Sequence, residues 1–377
     1  MKEFPLLETG DDNIVLFHPH IPKGALSQVQ SVLESRWIGQ GPKVAEFERR
    51  FAQYVAPERT ALSVGSGTDA LHLSYLLAGI QPGDEVITPV FTCTATNLPL
   101  LYIGAKPVFA DVQRRTLNID PEHVRSLVTP KTKAIICVHY AGLPCEMDEL
   151  QAIAREHKLL FIEDAAHALG AAYRGRKIGS LSDFTTYSFQ AIKHITTGDG
   201  GMVMLGDGTL AEKGRRLRWF GIDRSAKQLG IWQNDITEVG YKYQMTDLAA
   251  ALGLAAMDEF DETLAARQEL LADYEQELAG VAGVEVIGSG YADRTHAAWL
   301  CTVLVENRLG LMSKLRENHI ESGQVHYRND RYSIFGGHLR DLPNMTAIED
   351  KYLVLPLHLK LSRSDIQRIC SVIKSGW

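Results

Sequence analysis

The stretch TTYSFQAIKHITTGDGGMVML, Thr185–Leu205, sets one lysine, Lys193, between a short apolar run and a Thr-Thr-Gly-Asp-Gly-Gly turn. The glycines of 198–201 permit backbone conformations that other residues resist. A lysine near apolar neighbours has its pKa lowered, which frees the amine to attack a carbonyl. A lone lysine at a strand end is more often a solvated cation, so the surrounding chain has to decide the reading.

From about residue 60 to 205, short apolar runs alternate with helix-like stretches. DALHLSYLLAG (Asp69–Gly79) has helical spacing and ends at glycine, and PGDEVITPV (Pro82–Val90) reads as a turn followed by a strand. GAKPVFADV is a further strand signal. TKAIICVHYAG is nearly continuous in apolar and β-branched residues, as a buried parallel strand is. EMDELQAIAREHKL is amphipathic and runs straight into the strand LLFIED. This alternation predicts an α/β fold with a mostly parallel central sheet covered by helices. After about Gly240 the pattern changes. Met245–Gly280 reads as one long helix, with Thr246 as N-cap and Gly280 as stop. Strand signals (VEVIG, AAWLCTVLVE) then alternate with helix signals (GLMSKLREN, SRSDIQRICSVIKSG), as in a smaller α+β C-terminal domain. The expected division is a large domain with an N-terminal arm over 1–248 and a small domain over 249–377, entered through the long helix.

Two further segments carry chemistry. Asp164 ends the apolar strand of LLFIEDAAHALGAAYRG. In open α/β sheets ligands bind beyond the carboxyl ends of strands, so an aspartate there points at the crevice, although an isolated one is as often a cap or a surface ion pair. In SVGSGTDALHLSYLL, the residues Ser63, Gly65, Ser66, Gly67 and Thr68 lead directly into a helix. Glycines allow close backbone approach, hydroxyls donate, and a helix start favours an anion. The segment is neither a Walker loop nor a GxGxxG, and it serves equally as a capped helix start. A phosphate cradle, a strand-end aspartate and a later strand-end lysine together are the parts that hold pyridoxal phosphate: the lysine as covalent tether, the aspartate on the pyridinium nitrogen.

On these segments the chain resembles the DegT/StrS family of sugar aminotransferases, pyridoxal-phosphate enzymes of fold type I, the aspartate-aminotransferase-like fold. WIGQGPKVAEFERRFAQYV resembles the family's amino-terminal signature and SGTDALHLSYLLAGIQPGDEVITP its cofactor-phosphate segment. EDAAHALGA resembles the segment of the family's aspartate, and SFQAIKHITTGDGG that of its lysine. VGYKYQMTDLAAALG resembles the segment that enters the neighbouring active site, and LPLH also fits. The resemblance implies Lys193 as the tether and Asp164 at the ring nitrogen. His167 falls near the ring hydroxyl, and Gly67, Thr68 and Ser188 match phosphate contacts. It also implies a homodimer with shared active sites, in which Lys242 stands where many members have an asparagine that reaches the neighbour's cofactor phosphate. His326 and Tyr327 match a position near the sugar, and Arg328 or Arg331 is expected to meet a diphosphate, since arginine forks suit phosphate oxygens. RLRWFGIDR (Arg216–Arg224) is another candidate wall. One departure stands out. Cys93 occupies a position where many members place an aromatic ring over the pyridine face, so either a neighbouring ring such as Phe91 substitutes or smaller groups pack the cofactor face.

The implied reaction is ping-pong transamination. L-Glutamate gives up its amine, leaving pyridoxamine phosphate and 2-oxoglutarate, and a keto-sugar on a nucleotide diphosphate is then aminated. A related branch, the keto-sugar dehydratases, replaces the tether lysine by histidine; here the position is Lys193, with His194 beside it. TTGDGG resembles members acting at sugar C4 more than at C3. A non-enzymatic sensor on the same fold is the third reading, which an intact Lys193 and Asp164 oppose.

Composition bounds the remainder. The chain has 377 residues, 45% hydrophobic and 23% charged, with net charge −7. Nucleic acid is not the expected partner, because phosphate binding needs a basic face. Five scattered cysteines without CxxC read as a reduced, cytoplasmic setting. MKEFPLLETGDD lacks the basic-then-apolar pattern of a leader. No apolar run approaches the roughly 18 residues of a membrane span. The histidines of FHPHIP lack the supporting cluster of a metal site, so no metal is expected.

Overall fold

The computed structural model describes residues 4–10, 12–224, 226, 229–233 and 235–377. The first three residues and Asp11, part of the stretch read against a leader, lie outside them. The central sheet has seven strands: β1 (Thr60–Val64), β2 (Glu85–Pro89), β3 (Lys106–Ala110), β4 (Thr132–Val138), β5 (Leu160–Asp164), β6 (Phe184–Ser188) and β7 (Gly201–Leu205). Their order across the sheet is β1-β7-β6-β5-β4-β2-β3. Only β7 runs against its neighbours, and the other pairings are parallel. Alternation of side chains along a strand explains the continuous apolar run of β4. Ile135 and Cys137 face one core, which they share with Phe47, Phe51, Leu150 and Leu254. Ala134 and Ile136 face another, shared with Leu71, Leu73 and Leu77 of the helix Gly67–Leu77. Both faces are thus buried, and the sheet is the middle layer between helices.

This topology gathers function at one edge. The parallel strands end there in sequence at Pro89, Val138, Asp164 and Ser188. β7 starts at the same edge, because Gly201 pairs with Ser188 on one side and Val64 on the other. The β6–β7 hairpin is extended by hydrogen bonds from Phe189 N–H to Gly200 O (2.8 Å) and from Thr197 N–H to Phe189 O (2.9 Å), and it holds the Lys193 loop over the strand ends. Gly201 has no room for a side chain: a Cβ would lie 2.3 Å from the Ser66 carbonyl oxygen. The Gly-Gly of the opening stretch is therefore required by a close approach between this hairpin and the start of the helix Gly67–Leu77.

The expected long helix is two. Asp247–Asp258 and Phe260–Leu278 meet at Glu259, whose backbone leaves the helical region (φ −120°, ψ 14°). The Glu259 carboxylate is taken by His20 Nε2 and by the Lys23 N–H, so the N-terminal segment sits on the break. The N-cap is as read: the Thr246 hydroxyl accepts from the Ala249 N–H (3.2 Å). At the far end the helix stops at Leu278, and Gly280 has φ +72°. Beyond it, β8 (Val284–Val286), β9 (Cys301–Val305) and β10 (Tyr352–Leu355) form an antiparallel sheet in that order. The helices Arg308–Glu317 and Arg363–Lys374 pack on it around a core that includes Leu271, Leu315, Ile366 and Ile369. Ile14 belongs to the same core and bonds to the backbone of His319 and Glu321, so the first residues pack with the C-terminal unit. Among the described residues no helix is long and apolar enough to cross a membrane.

Candidate active site

Asp164 closes β5 and is buried. Its Oδ2 accepts from the Thr96 hydroxyl (2.7 Å) and its Oδ1 from the Ala166 N–H (3.1 Å). Burial raises its pKa, and those two hydrogen bonds offset part of the rise. Among the described residues it forms no ion pair. Lys193 faces the same space. Its Nζ lies 3.5 Å from the centroid of the Trp299 ring, and the Trp299 indole donates to the Ile192 carbonyl (3.0 Å), which fixes the ring against the lysine loop. Part of the Lys193 surface remains open, but protein atoms surround the ammonium closely enough to lower its pKa to about 7. Desolvation is the cause, against the opposing pull of Cys93 and Asp164. An amine poised near neutrality is half unprotonated at physiological pH, as a nucleophile or proton carrier must be.

An aromatic stack completes this wall. His167 lies on Trp299 with centroids 3.7 Å apart and planes 16° apart, and His326 lies parallel to His167 at 5.3 Å. Burial, reinforced by the Lys193 charge, keeps both imidazoles neutral: His167 is pushed well below its ordinary value and His326 to about 3. The His167 Nδ1 and the His326 Nε2 are buried with no hydrogen-bond partner. Buried polar atoms are normally satisfied, so two orphans beside a desolvated lysine and aspartate mark a place for a ligand.

The residues expected to hold an anion lie where the hairpin meets the helix Gly67–Leu77. Ser66 caps that helix, its hydroxyl accepting from the Asp69 N–H (3.0 Å). The first turn leaves the N–H groups of Gly67 and Thr68 without intrahelical partners. Gly67 packs directly on Ser188: an added Cβ would stand 2.9 Å from the serine Cβ. The Ser188 hydroxyl has only a long contact, 3.4 Å, from the Gln190 N–H. Gly67 and Ser188, expected together with Thr68 as phosphate contacts, therefore lie against each other, with Thr68 next to Gly67 at the helix start.

Other expected residues are placed differently. Lys242 is exposed with its ammonium 3.5 Å from the Trp219 ring centroid, and it makes none of the contacts of the Lys193 cluster within this chain. Its strand neighbours are nevertheless tied to the cradle, through Gly65 N–H to Tyr243 O (2.7 Å). Tyr327 is partly exposed and pairs with Thr92, beside Cys93. Arg328 does not offer a fork to a diphosphate. It is 1% exposed, and all its donors are consumed: Nε and Nη2 by the Asp330 carboxylate (2.8 and 2.7 Å), Nη1 by Glu349 and Thr346, and Nη2 also by the Arg340 carbonyl. It is a structural ion pair that holds the 323–337 loop. Arg331, the alternative, is more open but also pairs with Glu349. Phe91 does not stand in for a ring at Cys93, because its side chain is buried between Tyr140 and Tyr352, at 5.1 and 4.9 Å. Trp299 and Thr96 are the functional neighbours the sequence did not single out. A cleft of about 910 Å³ is lined by Gln40, Glu48, Arg218, Trp219 and Arg224 and not by Lys193. The chemistry is located by the titratable groups rather than by cavity size.

A seven-stranded sheet with one reversed strand, a strand-end aspartate, a desolvated lysine and a helix-start anion cradle define a pyridoxal-phosphate-dependent enzyme of fold type I. The chain belongs to the DegT/DnrJ/EryC1/StrS aminotransferase family, whose model matches residues 19–374. It is therefore an enzyme, a sugar aminotransferase. It is 38% identical over 363 residues to the GDP-perosamine synthase of Caulobacter vibrioides, covering 94% of this chain and 96% of that one. It is 35% identical over 376 residues to the UDP-4-amino-4-deoxy-L-arabinose–oxoglutarate aminotransferase of Shewanella sediminis, covering 95% and 96%. The solved structure of the putative sugar aminotransferase Spr1654 from Streptococcus pneumoniae in its PMP form superposes with a TM-score of 0.91 at 30% identity, covering 96% of this chain and 98% of that one. The residues present fit the cofactor. A buried carboxylate without a cation, an amine without an anion, two orphaned imidazole nitrogens and a cradle too tight for a Cβ are the sites a pyridine ring and its phosphate satisfy.

The lowered pKa of Lys193 makes a prediction for the cofactor-free protein. Between about 7 and 10.5 the unfolded chain carries a proton on this amine that the folded chain does not. Stability must therefore rise with pH across that window, and the penalty must be constant below it. Urea denaturation of the apoprotein is expected to show a steeper gain from pH 7 upward than the same measurement on Lys193→Met. Equal slopes would mean that the amine is not desolvated.

Proposed function

We propose that the chain transfers the amino group of L-glutamate to the keto carbon of a nucleotide-diphosphate-linked keto-deoxysugar, in the 4-keto-6-deoxy class. The product would be an amino sugar for a surface polysaccharide or a glycosylated natural product. The observation that carries this reading is the pair Lys193 and Asp164 facing one buried space beside two orphaned imidazoles. Pyridoxal phosphate, when bound, supplies an electron sink conjugated to the substrate carbon.

The chain's own residues do the rest. Asp164, buried and held by Thr96 and Ala166, presents a carboxylate to the ring nitrogen and keeps the proton there. Gly67, Thr68 and Ser188 bind the phosphate through N–H and hydroxyl groups at a helix start. The free Nδ1 of His167 is the group for the ring hydroxyl. Lys193 Nζ would hold and move the proton at the reacting carbon of the substrate; such general acid–base help is worth about 10²–10⁴-fold. Trp299 excludes water from one side of the amine, and neutral His326 and half-open Tyr327 stand where the sugar enters. The names of the two curated relatives supply the support for GDP- or UDP-linked substrates, for an amine at sugar C4 and for oxoglutarate as the partner acid.

A homodimer with shared sites is part of this reading. The segment that carries Lys242 also carries the exposed side chains of Phe220, Ile231, Trp232, Ile236 and Val239, Trp232 being 75% exposed. Several large exposed apolar side chains on one segment are commonly covered by a partner, and in the shared-site reading Lys242 would serve the neighbour's phosphate. A cytoplasmic setting is also part of it, supported by five cysteines that are all free thiols.

The test of the reaction is a screen of GDP-, UDP- and dTDP-linked 4-keto-6-deoxy sugars with glutamate, read by mass spectrometry. A product with a new amine at C4 and an equivalent of 2-oxoglutarate is expected. No amination of any of them, by protein whose yellow band bleaches with glutamate, would refute the substrate class. Sharing of the site is tested by mixing. Lys193→Ala and Lys242→Ala are each expected to lose activity, the first by at least about 10²-fold. Refolded together they are expected to regain part of it, because one site in the mixed dimer has both lysines. A mixture no more active than its parts would show that Lys242 serves its own chain.

A further inference from the structure

A second cluster of reactive side chains lies outside the Lys193 site, at the end of β4. Cys137 is the penultimate residue of that strand and His139 follows it. The chain then reverses through Ala141 (φ +58°) and Gly142 (φ +105°) and brings Cys145 back beside them. All three are fully buried. The two sulfurs and the imidazole nitrogen lie within 4.8 Å of one another. None of them touches the Lys193–Trp299–His167 group, and the transamination chemistry gives them no task.

The hydrogen bonds fix the imidazole's state. The Cys145 N–H donates to His139 Nδ1 (3.1 Å), so that nitrogen bears a lone pair. The other nitrogen, Nε2–H, donates to Glu163 Oε2 (2.9 Å), and the Glu163 Oε1 accepts from the Thr185 hydroxyl (3.1 Å). The Nδ1 lone pair, engaged by the Cys145 backbone N–H, lies beside the two sulfurs, and a carboxylate stands behind the ring; such a carboxylate is found at metal-ligating histidines, where it fixes the tautomer and raises the basicity of the ligand. The donor set of two sulfurs and one imidazole is soft, which selects against Mg²⁺ and Ca²⁺. Charge selects further. Two thiolates are matched in charge by a divalent ion and not by a monovalent one, while the Glu163 carboxylate is held separately by the His139 N–H and the Thr185 hydroxyl. The Val138 carbonyl, which already accepts from the Cys145 thiol at 3.2 Å, is the nearest backbone oxygen for a fourth position.

We propose that Cys137, His139 and Cys145 form a closed binding site for a thiophilic divalent ion of the Zn²⁺ class. Binding exchanges two S–H bonds for two metal–sulfur bonds and releases two protons to solvent, with no change of oxidation state. The ion takes the Nδ1 lone pair from the Cys145 N–H, which is left to turn to the adjacent thiolate. Its role is structural. It pins the 139–145 turn, and the His139 N–H bond to the Asp164 carbonyl oxygen (3.2 Å) connects that turn to the strand end that bears the Asp164 carboxylate.

The test is the zinc content of holoprotein expressed in zinc-supplemented medium and dialysed against EDTA, together with X-ray absorption at the zinc edge. About one zinc per chain is expected in the wild type and in Cys93→Ser, with two sulfurs and nitrogen or oxygen in the first coordination shell. Cys137→Ser and Cys145→Ser are expected to lose the metal while keeping the visible cofactor band. Glu163→Gln should hold zinc about 10–100-fold more weakly. Wild-type protein with no zinc, a shell without sulfur, loss of metal in Cys93→Ser, or a Cys137–Cys145 disulfide in freshly purified protein would each overturn the proposal. The wild-type shell decides the matter even if a variant fails to fold.

Discussion

A buried amine and a buried carboxylate that share a space without pairing with each other are the constraint on which the site depends. Lys193 and Asp164 are each desolvated, and each has its pKa moved toward the neutral form. Neither forms an ion pair with the other, since no N–O approach within 4.0 Å joins them. A structure optimised for stability alone would have closed that gap or filled it with apolar side chains. The gap is instead lined by an indole and two neutral imidazoles, with two nitrogens left unsatisfied. A polar aromatic ring with a cationic nitrogen and an aldehyde carbon, which describes the family's cofactor, would satisfy these groups.

The sheet makes the gap possible. Parallel strands deliver Asp164 and Ser188 to one edge, and the one reversed strand lets a hairpin carry Lys193 back over that edge. The same hairpin presses Gly201 against Ser66 and sets Ser188 beside Gly67, so the amine and the phosphate cradle are positioned by one piece of backbone. The C-terminal unit contributes the covering wall. Trp299 and His326 come from it, and Arg267 ties it to the long helix through bonds to the carbonyls of Ala298, Trp299 and Leu357, all at 2.9 Å. Arg328 and Asn329 anchor the loop that follows His326.

Much of this was legible in the sequence, because strands buried on both faces read as unbroken apolar runs and because cofactor chemistry requires particular residue types at strand ends. TKAIICV, LFIED and the segment around Lys193 became β4, β5 and the hairpin for those reasons. What was not legible depends on distant partners. No glycine or proline marks the helix break at Glu259, since its cause is a contact with His20 and Lys23 more than 230 residues earlier. Arg328 reads as a phosphate ligand in sequence, but Asp330 and Glu349 occupy its guanidinium. Trp299 read only as part of a strand, and nothing near it in sequence indicates that its ring would lie against Lys193. Cys137 and Cys145 are eight residues apart without a CxxC pattern, and only the left-handed turn between them brings their sulfurs together.

The most direct measurement is to reduce the holoprotein with borohydride, digest it and map the pyridoxyl group by mass spectrometry. The structure predicts a single modified peptide, with the label on Lys193. A label on Lys242 or any other lysine, or no label on protein that carries the cofactor, would contradict the assignment of the site and of everything argued from it.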